Sequence, residues 1–162
     1  PTSWPPACHD DRSIGAGKAE GIYFDASERT WSHLFRLNPA SRAVTKLAPA
    51  AEAVDSSFSV SNDGSTVAFL RADAKTAPEI YTARVGTGLQ AARKLTDLNA
   101  QSASWITSTL DVVTWKSQDG TTIEGVLHKP IDFDPARRYP LLVVIHGGPT
   151  GVSRAVPVTS AA

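Results

Sequence analysis

Ser57–Asp73 reads SFSVSNDGSTVAFLRAD, two short strands folded about Asn62-Asp63-Gly64. Aromatic and β-branched residues flank a polar turn, the ordinary signature of a strand pair. Similar runs recur on either side. GIYFDAS (Gly21–Ser27) and HLFRLNP (His33–Pro39) make an earlier pair, and EIYTARV (Glu79–Val85) and RKLTDLN (Arg93–Asn99) follow. No amphipathic helix of a dozen residues is visible before Val152.

These runs repeat. Ile22 and Phe24 stand 45 positions before Val67 and Phe69, and Phe35 stands 46 before Tyr81. Thr45-Lys46-Leu47 stands 48 before Arg93-Lys94-Leu95. A drifting period of this size, carrying about four short strands, fits one blade of a β-propeller. A β-sandwich with accidental likeness between its halves is the other architecture open to the pattern, but period and strand order together favour blades. Two units do not close a propeller, so further blades are expected upstream.

The pattern changes after Asn99. LDVVTWKSQDGTTIEGVLHKP (Leu110–Pro130) reads as two alternating strands about an Asp119-Gly120 hairpin turn. IDFDPARRYP is a Pro- and charge-rich loop. Leu141–Ile145, LLVVI, is wholly apolar, the signature of a strand buried on both faces of a mixed or parallel α/β sheet. The expected organisation is therefore propeller blades over 1–105 and an incomplete α/β-hydrolase portion over 106–162, with the boundary between Asn99 and Leu110.

That apolar run ends in His146-Gly147-Gly148-Pro149. A glycine turn at the carboxyl end of such a strand lies where open α/β sheets hold ligands. Glycines admit backbone conformations closed to other residues and let a substrate approach. Their N–H groups can face a developing oxyanion, as the glycine-rich loop of α/β-hydrolases does. Pro149 fixes the backbone beyond and offers no donor. The four residues alone fit a plain tight turn equally well.

The ordered set SNDGSTVAFL, PEIY, KLT, WKSQDGTTIEGVLHKP and YPLLVVIHGGP resembles the prolyl oligopeptidase family of serine peptidases, especially its acylaminoacyl-peptidase and dipeptidyl-peptidase-like branches. The resemblance runs over the whole chain. It implies a propeller of about seven or eight blades capping an α/β-hydrolase domain that cleaves short peptides. It also implies that Gly148 lends a backbone N–H to an oxyanion hole, with Gly147 beside it and His146 and Pro149 shaping the loop. His146 is then positional and distinct from a triad histidine.

The triad itself is not in the sequence. The family nucleophile sits on a G-x-S-x-G elbow followed by Asp and then His. GVSRA (Gly151–Ala155) is the nearest imitation, but Ala155 replaces the second glycine and no strand leads into Ser153. The last histidine, His146, precedes any such serine. The chain alone is therefore expected to be inactive, as a piece of a serine peptidase whose substrate is a peptide. A non-catalytic TolB-like binding propeller and a carboxylesterase are the alternatives. Residues 110–151 argue against the first, and the preceding blades against the second.

Other residues carry less. Cys8-His9-Asp10-Asp11 gathers ligand types, but adjacent residues seldom converge on one ion, and no metal or cofactor is expected. His33 and His128 read as half-buried or solvated residues at strand ends. Asp111, Asp119, Glu124, Asp132 and Asp134 are scattered over turns and edges. Trp105 and Trp115 are expected to pack at the junction.

Sixteen basic and sixteen acidic residues in 162 give no net charge, so no nucleic-acid footprint or charged tail is present. The longest aliphatic run, Leu141–Ile145, is far short of the ~20 residues of a membrane span. Eleven Gly and eleven Pro favour turns over long helices. Cys8 is the only cysteine, which excludes an internal disulfide and fits the cytosol or an export route alike. The sequence opens on Pro1 with no signal-like segment, as expected of a fragment.

Overall fold

A computed structural model describes residues 21–48, 52–148 and 151–157. Apart from one 3₁₀ turn, Ala100–Ser104, all regular structure among the described residues is β. The strands are β1 (Ile22–Glu28), β2 (Trp31–Leu37), β3 (Val44–Lys46), β4 (Val54–Val60), β5 (Thr66–Ala72), β6 (Glu79–Val85) and β7 (Leu89–Lys94), then β8 (Thr109–Lys116) and β9 (Thr122–Lys129). The first seven form one open sheet and the last two a separate hairpin.

The seven-stranded sheet is two antiparallel meanders. β1, β2 and β3 pair in succession, as do β4, β5, β6 and β7. A single parallel pairing, Ser32 with Val54, joins β2 to β4. The sequence repeat holds at the level of register. Phe24 lies opposite Phe35, and Phe35 opposite Lys46. In the second meander Phe69 lies opposite Tyr81, and Tyr81 opposite Lys94. Both aromatic pairs are stacked, at 5.6 Å and 6.0 Å between ring centres. Even the bond beyond the ladder recurs: Leu47 N–H donates to Leu34 at 2.9 Å and Leu95 N–H to Ile80 at 2.7 Å.

Packing between the meanders uses a different face of each. Tyr23, Leu34 and Leu47 of the first form one cluster with Phe58, Val67, Phe69 and Ala83 of the second. A bulge at Ser57, which takes a φ of 53°, breaks the β4–β5 register between Ser56 and Ser59 beside Phe58. Leu47 also accepts a hydrogen bond from Leu89 N–H at 2.5 Å, so one residue ties β7 to the first meander.

Two hairpins share one turn chemistry. Between β4 and β5, Asp63 accepts hydrogen bonds from the Ser61 hydroxyl at 2.6 Å and the Ser65 N–H at 3.0 Å. Between β8 and β9, Asp119 accepts from the Ser117 hydroxyl and from Thr121 N–H at 2.9 Å. Gly64 and Gly120 close these turns with φ of 71° and 83°, which only glycine adopts without strain. The Asp-Gly positions read from the sequence are thus the turns.

The apolar run Leu141–Ile145 departs from expectation. It is neither paired nor buried, with each side chain 69–85% exposed. A strand buried on both faces needs neighbouring strands and covering helices, and the described residues place neither beside it. No α/β-hydrolase portion is therefore evident among the described residues; residues 130–148 run as an irregular, largely exposed segment. Within it Phe133 stacks on Tyr139 at 5.2 Å.

Candidate functional site

The glycine turn stands at the end of this segment. Gly148 takes a φ of 69°, a left-handed conformation that favours glycine. A side chain added at Gly147 or Gly148 would meet nothing within 4 Å, so both backbones are open to approach. Neither N–H donates to another described residue. Gly151 is the reverse case. A β-carbon there would strike the Gly147 carbonyl oxygen and lie 2.8 Å from His146 Nδ1. The chain therefore doubles back at the turn, and Gly151 is what permits it. Sequence reading assigned Gly151 no role, since the clash it avoids exists only in three dimensions. Pro149 lies outside the described residues, as do Cys8, His9, Asp10 and Asp11.

Beyond Gly151 the chain returns to the first sheet. Ala155 is buried, and its N–H donates to the Thr30 carbonyl at 3.3 Å. Thr30 and Arg29 form the two-residue turn between β1 and β2, and Arg29 takes a φ of 58°. Arg29 Nη1 donates to Glu124 Oε1 at 2.8 Å and the Thr30 hydroxyl to Glu124 Oε2 at 3.2 Å. Both oxygens of one carboxylate on β9 thus hold the turn on which Ala155 rests. Glu124, read from the sequence as a scattered carboxylate, is the joint between the hairpin, the seven-stranded sheet and the segment after the glycine turn.

The remaining candidates are held apart. Ser153 is exposed in an irregular stretch with no strand to present it. His33 is buried inside β2, not half-solvated at a strand end, because β2 has neighbours on both edges. Burial lowers its pKa, with Lys46 adding to the shift; Nε2 lies 3.7 Å from Glu28, and Nδ1 has no hydrogen-bond partner among the described residues. His128 is exposed. Asp111 pairs with Lys129, and Asp134 accepts from Ala136 N–H at 2.9 Å. Trp105 and Trp115 are exposed, not packed at the junction, because no element among the described residues covers them. The Trp115 ring lies across Gly125 on the neighbouring strand. No grouping of ligand-type side chains that could hold a metal occurs among the described residues, and no helix there is long and apolar enough to cross a membrane.

No protein-family model matches the chain, and no curated protein matches it. Solved structures do. A variant of the AtxE2 isopeptidase with Astexin3-dC4 bound is 18% identical over 82% of this chain and 20% of its own, with a TM-score of 0.59. The dipeptidyl peptidase 4 of Porphyromonas gingivalis is 20% identical over 78% of this chain and 18% of its own, with a TM-score of 0.57. The AtxE2 isopeptidase without ligand gives 0.55 at 17% identity, over 76% of this chain and 18% of its own. The chain spans about a fifth of the length of the structures it matches. The seven strands lie within residues 22–94, under half of the chain, so a match over 82% runs past them. At these identities the likeness is one of fold, and the fold is one that peptidases carry.

Proposed function

We propose that the chain is part of a serine-type peptidase of the prolyl oligopeptidase family that hydrolyses peptide bonds in short peptides. The two meanders are blades of a β-propeller that limits access, within residues 1–105. Residues 106–162 open the α/β-hydrolase portion. A serine supplied by residues outside this sequence gives its hydroxyl proton to a histidine, also outside it, as its oxygen adds to the scissile carbonyl. The carbonyl oxygen becomes an oxyanion, and the N–H of Gly148, with Gly147 beside it, donates to it. A donor fixed in this way contributes about 3–4 kcal/mol to the transition state. The observation that carries the reading is the Gly148 turn, left-handed, unobstructed and with N–H groups not used within the described fold, in a chain whose fold is found in peptidases.

The test begins with the coding sequence on both sides of these residues. A G-x-S-x-G elbow with later Asp and His is expected downstream. The protein so encoded should hydrolyse a peptide nitroanilide, with kcat reduced about a hundredfold to a thousandfold by Gly148→Val, which displaces one donor. An open frame without an elbow, or hydrolysis indifferent to Gly148→Val, would sink the proposal. Pure 1–162 should show no hydrolysis.

A further inference from the structure

A turn is fixed by what holds its two ends. The glycine turn is entered from the apolar run that ends at Ile145 and left through Gly151. Gly151 packs so closely that a β-carbon on it would strike the Gly147 carbonyl oxygen and lie 2.8 Å from His146 Nδ1. That carbonyl belongs to the same peptide group as the Gly148 N–H. A peptide group is planar, so the direction of its carbonyl fixes the direction of its N–H. Gly151 therefore bears on one edge of a rigid plane whose other edge is the Gly148 donor.

The place of Gly151 is set from the first meander. Four residues on, buried Ala155 donates its N–H to the carbonyl of Thr30, which is itself buried. Thr30 is held in turn by Glu124, whose Oε2 accepts from its hydroxyl while Oε1 accepts from Arg29. The Glu124 side chain is 11% exposed and that of Arg29 66%, so Glu124 and Thr30 form the inside of this joint and Arg29 its rim. The carboxylate comes from β9 of the separate hairpin, where Glu124 pairs with Thr114. The β1–β2 turn is thus clamped from the hairpin on one side and carries the exit of the glycine turn on the other.

We infer that Glu124 and Thr30 are positioning residues for the Gly148 N–H, acting through Ala155 and Gly151, a role that rests on the reading of Gly148 as an oxyanion donor. The first meander then acts on the chemical step as well as on access, because its β1–β2 turn sets the direction of that donor. A hydrogen bond weakens steeply as it leaves the line of its donor, and a misplacement of about 1 Å can cost about a hundredfold in rate. The oxyanion exists in the transition state and not in the bound substrate, so misaiming its donor lowers kcat and leaves KM in place. Neither Glu124 nor Thr30 meets the substrate in this role.

The test uses the whole protein encoded around these residues. Glu124→Ala should lower kcat on a peptide nitroanilide about tenfold to a hundredfold and leave KM within about twofold. Thr30→Val, which loses the hydroxyl and keeps the carbonyl, should act in the same direction by a smaller factor, and it carries the test if Glu124→Ala does not fold. A peptide boronic acid, whose serine adduct places an oxygen where the oxyanion forms, should lose affinity in step with kcat, while a product peptide keeps its affinity. Asp111→Asn breaks the other ion pair of the hairpin, with Lys129, and should leave kcat unchanged. Full kcat in Glu124→Ala, an equal loss in Asp111→Asn, or a loss confined to KM overturns the inference. Hydrolysis that responds to Gly148→Val and not to Glu124→Ala ends this inference alone, whereas hydrolysis indifferent to Gly148→Val ends the reading beneath it. In a protein that hydrolyses nothing, the Gly148 amide resonance decides: it should move in Glu124→Ala and stay in Asp111→Asn, and a resonance that stays in both overturns the positioning role.

Discussion

Asp55 on β4 and Arg71 on β5 face one another across the ladder and are joined by two parallel hydrogen bonds of 2.7 and 2.8 Å. Asp55 is fully buried, and the Arg71 guanidinium also lies over the rings of Phe69 and Tyr81, at 5.0 and 5.5 Å. The pair raises the Arg71 pKa through its hydrogen bonds to Asp55. Removing only the cation leaves a buried carboxylate with no counter-charge. Arg71→Leu should therefore cost about 3–5 kcal/mol in urea unfolding. Asp55→Leu combined with Arg71→Leu should cost less than Arg71→Leu alone. A double variant as damaged as the sum of the singles would mean that the two do not act as a pair.

Acid should destabilise the sheet in two separate windows. Glu79 accepts hydrogen bonds from the Thr96 hydroxyl and from the N–H groups of Asn99 and Leu98, which hold its pKa down from 4.5 to about 2. A depressed carboxylate stabilises the fold above its unfolded pKa and loses that contribution as pH falls toward the folded one. Stability should drop between about pH 4.5 and 2, and Glu79→Gln should flatten part of that drop. Asp63, lowered from 3.8 to about 2 chiefly by the Ser61 hydroxyl, adds to the same window. His33 acts earlier. Its pKa is lowered from 6.5 by burial, so the unfolded chain takes up the proton first and stability falls as pH drops below 6.5. His33→Gln should remove that earlier slope and leave the lower one. Chemical denaturation at half-unit intervals from pH 8 to 2 separates them.

Gly151 should be the least replaceable glycine of the turn. Gly151→Ala drives a β-carbon into the Gly147 carbonyl and the His146 ring, while Gly147→Ala meets open space. Gly148→Ala is strained by its φ of 69°, at about 1–2 kcal/mol. The amide resonances of Gly147 and Gly148 should move in Gly151→Ala, and that of Gly148 should barely move in Gly147→Ala. The reverse order would show that the chain does not double back here.

Glu124 should control how firmly the segment after the turn is held. Glu124→Ala frees Arg29 and Thr30, and through Thr30 the anchor of Ala155. Hydrogen exchange at the Ala155 amide should accelerate about tenfold, as loss of hydrogen bonds to a charged group implies. Protection at Val67 and Phe69 should be unchanged. Exchanging the charges, with Arg29→Glu and Glu124→Arg together, should recover part of the protection. Unaltered exchange at Ala155 in Glu124→Ala would remove Glu124 from this role.

Strand positions were legible because the aromatic pairs that mark them are local and repeat. Phe24 aligns with Phe69 and Phe35 with Tyr81 by spacing alone, and the two ladders set the members of each meander, Phe24 with Phe35 and Phe69 with Tyr81, in the same cross-strand register. Which face of each pair is buried was not legible. Val67 is in the core and Ile22 is exposed although they occupy the same repeat position, because burial depends on what the neighbouring meander covers. Leu141–Ile145 shows the same limit from the other side: apolarity marks a segment fit for a sheet interior but does not supply the sheet. Of the site, the glycine pair was visible as a motif. Glu124 was not, since its partners lie 94 and 95 residues away. Glu79 was missed for the same reason, its ligands arriving 17 to 20 residues later.

Leu47 has a consequence for how the sheet comes apart. Its N–H closes the first meander on Leu34, and its carbonyl receives the last strand of the second through Leu89. Fraying of β7 therefore begins by releasing an oxygen on the same peptide-bearing residue that fastens β3, and loss of β3 strips β7 of its anchor. Repeats that meet only through side chains can open one at a time. Here the backbone itself is shared, so the Leu47 and Leu89 amides should exchange with one common opening rate, and the two repeats should melt as a single cooperative unit.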